Sequence, residues 1–160
     1  MTLYHGGVCE IRIPKLSFAK HRLDFGRAFY LTSYKHQAEK WAKRKAVRTR
    51  GTPIVNVYRL ADDLSKFKVR DFKSANGDWL DFVCACRSGR SVGRKVDIIK
   101  GMVANDDVFK TVDAYLKGDM TRAATLKELR YLKPNDQIAL ASVKAIRALE
   151  FQRSYVVKGD

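Results

Sequence analysis

One of the three histidines stands where an imidazole could do chemistry rather than meet solvent. His5 follows Leu3 and Tyr4 and precedes Gly6 and Gly7 in the stretch LYHGG, whereas His21 and His36 lie among lysines and arginines and read as solvated. A lone histidine on a short strand is ordinarily a satisfied structural group. The glycine after it shifts that reading, because a residue without Cβ lets a ligand approach the backbone and meet its N–H and C=O groups. Tyr30, between Phe29 and Leu31 in RAFYLT, reads by itself as a core residue of a buried strand.

Several other chemistries are excluded by spacing. HGG and DFG match neither a P-loop nor a dinucleotide fingerprint, and DFG stands without the companion motifs of a kinase. There is no GxSxG and no HExxH. Cys84 and Cys86 are two apart on an expected helix, where side chains do not face each other, and no CxxC or histidine at ligand spacing accompanies them. No metal site is expected, and the odd cysteine count fits a reduced cytoplasm. No apolar run approaches the roughly 20 residues that span a bilayer, and MTLYHGG lacks the regions of a secretory signal.

The elements that must hold these residues alternate irregularly. LYHG, RAFYLT, IVNVYRL, FKVRDF, VDIIKGMVA, QIALAS and EFQRSYVV read as strands, with Gly101 marking a bulge or a close backbone approach. SYKHQAEKWAKRKAVR is the clearest helix, with Tyr34, Ala38, Trp41 and Ala42 as its buried stripe and Thr32 or Ser33 as its cap. NGDWLDFVCACRSG, NDDVFKTVDAYLKG, TRAATLKELRYL and the short VKAIRALE are further helices, with Asn76 or Asp78, Asp106 or Asp107, and Thr121 near the first three starts. Strands and helices without steady βαβ alternation predict an α+β fold, and 160 residues predict one domain over 1–160.

Charge adds a second theme. The net charge is +15 and the pI near 9.9, which favours acidic partners such as nucleic acid, an acidic protein or an anionic small molecule. Lys40, Lys43, Arg44, Lys45, Arg48 and Arg50 crowd one helix and its exit with no acid among them, and Arg87, Arg90, Arg94 and Lys95 fall in an expected loop. A solvated face is the default for such runs; an acidic acceptor, nucleic acid or protein, is the alternative.

Seven short motifs occur in order: LYHGG, DFGRAFYLT, QAEKWA, WLDFV, VAND, NDQIAL and ALEF. A histidine–glycine strand followed by a tyrosine strand resembles the diphtheria-toxin-like and poly-ADP-ribose-polymerase-like branch of the ADP-ribosyltransferases. The set looks closer still to a small bacterial family within that clan, with LYHGS, DFGxGFYLT, QAxxWA, WLDFV, VAND and DQ before a final strand, helix and LxF. The resemblance runs from residue 3 to about 151. It implies two small, mostly antiparallel sheets with flanking helices and an NAD cleft between them, and a mono-ADP-ribosyltransferase that takes NAD as co-substrate without a metal. By resemblance, His5 bonds a ribose hydroxyl, Gly6 offers its backbone to the nicotinamide carboxamide, Tyr30 stacks on the nicotinamide ring, and Tyr34 or Phe29 completes that wall. Gly7 stands where serine or threonine is usual, which removes one hydroxyl contact.

The family's catalytic glutamate falls on Asp136 if the asparagines are matched and on Gln137 if the strand's apolar pattern is matched. Gln137 is preferred, with Asp136 or Asp106 as a helping carboxylate; strand alternation lets at most one of the 136–137 pair face the cleft. The resemblance further implies a cytoplasmic bacterial or phage toxin, a protein or nucleic-acid acceptor, and a small antitoxin partner. A weakly catalytic module of the same fold, binding nucleic acid or an acidic protein through its basic face, is the alternative, because a glutamine replaces the glutamate.

Overall fold

The computed structural model describes residues 1–20, 22–90, 96–102, 106–130 and 136–158, without the side chains of 106 and 107. Strands β1 (Thr2–Gly7), β3 (Ile54–Leu60) and β7 (Leu149–Val156) form an antiparallel sheet in the order β1-β3-β7. Strands β2 (Phe29–Leu31), β6 (Asp136–Leu140), β5 (Ile98–Met102) and β4 (Val69–Asp71) form a second sheet in the order β2-β6-β5-β4, antiparallel except for the parallel β4–β5 pair. Helices α1 (Lys35–Thr49), α2 (Gly77–Arg87), α3 (Asp106–Lys117), α4 (Arg122–Leu129) and α5 (Val143–Arg147) complete an α+β architecture.

The apolar pattern of each strand decides the layering. β3 is buried along almost its whole length because it is covered on both faces. Val55 and Val57 pack under α1, whereas Tyr58 and Leu60 join Leu3, Leu31, Ile138, Leu140 and α5 between the two sheets. On β6, Ile138 and Leu140 face that inter-sheet core while Ala139 faces α2, as the two-residue period of a strand requires. α2 is apolar over most of its circumference, with Asp78 and Asp81 exposed, and seven of its residues are buried under the second sheet's outer face. Asn76 caps it by accepting from the Trp79 N–H at 3.0 Å, and Thr121 caps α4 by accepting from the Ala124 N–H at 3.2 Å. Gly101 is a close approach rather than a bulge: the β5–β6 ladder runs through it, and a Cβ there would sit 2.8 Å from the Phe25 ring.

α1 departs from its expected stripe. Ala38, Ala42 and Ala46 are its buried residues, whereas Tyr34 and Trp41 are each 53% exposed. The reason is the tightness of the seat on β1. A Cβ at Gly6 would lie 2.2 Å from the Ala38 carbonyl oxygen, so helix and strand touch backbone to backbone and only alanines fit between. The expected cap is also corrected. Tyr34 is the N-cap residue and supplies no side-chain bond, and Thr32 instead accepts from the Tyr34 N–H at 3.1 Å. Arg87, expected in a loop, ends α2 in an ion pair with Asp24; Arg94 and Lys95 lie outside the described residues.

Candidate functional site: the parting of two sheets

β1 and β2 belong to different sheets and touch at one bridge. Tyr4 N–H donates to the Thr32 carbonyl at 2.9 Å, and Thr32 N–H to the Tyr4 carbonyl at 3.0 Å. Continued antiparallel, the next outward pair would be Gly6 facing Tyr30. That pair does not form. The strands part, and the imidazole Nδ1 of His5 meets the Tyr30 carbonyl at 2.8 Å in place of a backbone amide. Since both peptide groups of Tyr4 point away from β3, ladder alternation points those of Gly6 the same way. One N–H and one C=O of the buried Gly6 therefore point toward the Tyr30 side rather than toward β3.

His5 is fixed in one protonation state. Nδ1 faces a carbonyl, so it holds the proton and donates, which leaves Nε2 as an acceptor. The ring stacks on Phe29 with centroids 4.6 Å apart. Burial pushes the imidazole pKa down to about 4, against a smaller upward pull from the Tyr30 carbonyl and with a further downward push from Lys45. A Cβ at Gly7 would lie 3.6 Å from Nε2, so this glycine leaves that nitrogen uncovered on one side. The folded pKa lies below the unfolded value, so the unfolded chain binds the extra proton. Stability is then full above about pH 6.5 and falls as the pH drops toward 4, by up to about 3 kcal/mol from this residue. Denaturant midpoints between pH 7 and 4.5 should fall more steeply for the native chain than for His5→Asn; parallel curves would contradict the buried neutral imidazole.

Tyr30 offers the gap its backbone and turns its ring away, into the core shared with α2. Its hydroxyl donates to the Gly26 carbonyl at 2.6 Å and accepts from the Phe25 N–H at 3.1 Å, and burial raises its pKa well above the ordinary value. The phenol is thus held in the core by the Phe25–Gly26 backbone and is no proton donor to a ligand. Its loop is held from outside by Arg87, whose Nε and Nη2 reach Asp24 at 2.8 and 2.6 Å.

The 136–137 pair divides between faces as alternation requires. Asp136 is engaged by the chain leaving β2: the Thr32 hydroxyl donates to it at 2.5 Å and the Ser33 N–H at 2.9 Å. Gln137 shares the face of Ala139, the strand partner of Tyr30, and its Oε1 is buried without a hydrogen-bond partner among the described residues. Trp79 Nε1, also in the core that Tyr30 joins, is likewise unpartnered. Asp106, the other helping carboxylate considered, opens α3, but its side chain is outside what is described.

Sequence reasoning missed a row on α1. Gln37 donates to the Asp136 carbonyl oxygen at 2.9 Å, and Lys45 acts on His5. Trp41 lies between them at four-residue spacing, on the same stripe and exposed. The periodicity that assigned Trp41 to the core was real; the signal that would have corrected it is Ala38–Ala42–Ala46, a complete small-residue stripe facing a glycine strand.

The fold and site define an α+β protein whose two sheets part around a neutral histidine and a glycine backbone. Residues 1–151 match the family model described as protein of unknown function (DUF3990), and the chain belongs to that family. No curated protein and no solved structure matches it.

Proposed function

We propose that the chain is an NAD-dependent mono-ADP-ribosyltransferase whose nicotinamide slot is the gap between Gly6 and Tyr30. The observation that supports this reading is the Gly6 peptide pair turned from β3 toward Tyr30, beside the acceptor nitrogen of His5. A primary carboxamide is the complement of such a pair: its oxygen accepts from the N–H, and its NH₂ donates to the C=O. Nε2 of His5 accepts from a ribose hydroxyl. Phe29 holds the imidazole in place by stacking, and the exposed Tyr34 and Trp41 give the mouth aromatic surface.

The reaction breaks the bond between ribose C1′ and the nicotinamide nitrogen. The electron pair leaves with neutral nicotinamide, the ribose becomes oxocarbenium-like, and an acceptor nucleophile bonds C1′ and loses its proton to solvent. Water as acceptor gives ADP-ribose by the same steps. Asp136 is the group assigned to the ribose: it lies on the face of β6 that Ile138 and Leu140 turn toward the first sheet, whereas Gln137 and its buried oxygen lie on the α2 face with Ala139.

Incubation with NAD should release free nicotinamide. His5→Ala and Asp136→Ala should each slow release on the order of a hundredfold, whereas Gln137→Ala should slow it much less. A native chain that releases none, or variants that all match it, would end this reading.

A further inference from the structure

On its other flank α1 borders a second concavity. The helix is seated over β1 and β3, and it leaves the edge strand β7 uncovered on the same face. The result is a groove of about 650 Å³ between them, lined by Lys40 and Lys43 from α1 and by Arg153, Tyr155 and Lys158 from β7 and the residues after it. Glu39 is the carboxylate among the lining residues, and it is turned to partners of its own: the Tyr155 hydroxyl donates to it at 3.0 Å and Lys35 approaches at 3.7 Å. No described carboxylate pairs with Lys40, Arg153 or Lys158. From Lys40 the cations continue along α1 through Arg44 and Arg48 to Arg50 at its C-cap with no acid between, a run of about 15 Å of helix.

We propose that this groove and the exposed side of α1 form a docking surface for the phosphodiester backbone of a single-stranded nucleic acid. Apart from Glu39, the charged side chains of this surface are cations over a length greater than the groove, which suits an evenly charged chain. Lys35 Nζ at 5.5 Å and Arg153 Cζ at 5.3 Å lie over the Tyr155 ring, and contact with phosphates is assigned to the cations rather than stacking to the ring. An acidic peptide is the competing occupant, and the polyglutamate arm of the test separates it from a nucleic acid. The proposal is independent of the slot: α1 separates the two, and no dinucleotide is needed for binding.

The test is fluorescence anisotropy with a labelled 20-nucleotide oligothymidylate, without NAD, over a salt series. A triple reversal, Lys40→Glu with Arg153→Glu and Lys158→Glu, is compared with Lys15→Glu, Lys66→Glu and Lys127→Glu, which changes net charge equally at exposed positions elsewhere. The groove triple should weaken binding at least about tenfold more than the control and lower the slope of log affinity against log salt by about 2, roughly 0.7 for each of the lost phosphate contacts. Equal losses in the two triples, an unchanged slope, or equal affinity for a polyglutamate of matched charge would overturn it. Nicotinamide release is unaffected by either result, so this surface and the slot fail separately.

Discussion

Gly6→Ala should cost about 3 kcal/mol or more, an extreme of overpacking. The added Cβ would lie 2.2 Å from the Ala38 carbonyl oxygen and 2.9 Å from the Ala42 nitrogen, both backbone atoms of α1. No rotamer change relieves such a contact; the whole helix must lift. Lifting it uncovers Ala38, Ala42, Val55 and Val57 together and pulls Gln37 from Asp136. For a chain of this size the thermal midpoint should fall by roughly 6–12 °C. Gly7→Ala is the matched control: its nearest atom, His5 Nε2, is at 3.6 Å, an ordinary contact. Equal midpoints for the two variants would show that α1 is not seated on β1 as described. Gly7→Ala should instead slow nicotinamide release, by covering the acceptor nitrogen.

The second large effect is at the Asp24–Arg87 pair. Their side chains are 13% and 8% exposed, and Arg87 Nη1 is buried without a hydrogen-bond partner among the described residues even with Asp24 in place. The guanidinium also lies 4.2 Å over the Phe109 ring. Asp24→Asn would leave a nearly enclosed cation with no counter-charge, which costs about 3 kcal/mol or more where an exposed pair would cost under about 1. Asp24→Leu combined with Arg87→Met should recover most of the loss, since burying two apolar side chains avoids the desolvation of both charges. Denaturant unfolding of both single variants and the double decides it; single variants within about 1 kcal/mol of native would mark the pair as solvated. The pair acts on the site through Phe25 and Gly26, which bond the Tyr30 hydroxyl. Nicotinamide release by the double variant should therefore fall although its stability returns.

Much of the fold was legible because each element satisfies a local rule. Asn76 and Thr121 announce helix starts, and both caps form. The β-branched run of β3 and the apolar alternation of β6 specify strands and their buried faces. The α1 stripe was misread because helical period gives a face but not its clearance: Trp41 has the right spacing and the wrong size for a seat that touches Gly6. Arg87 was misread for the opposite reason. The residues that follow it are exposed, but its partner, Asp24, is 63 residues away.

The residues themselves determined which groups could act: an imidazole beside two glycines, a tyrosine in an apolar strand, and a polar pair opening a late strand, all in a chain of net charge +15. Tertiary structure decided how they meet. The imidazole's tautomer depends on a carbonyl 25 residues on, the choice between Asp136 and Gln137 on which face of β6 meets the first sheet, and the gap itself on two strands that pair once and then separate. Those are long-range contacts. Local period and propensity fix which side chains share a face; the distance between faces is set only when the layers close.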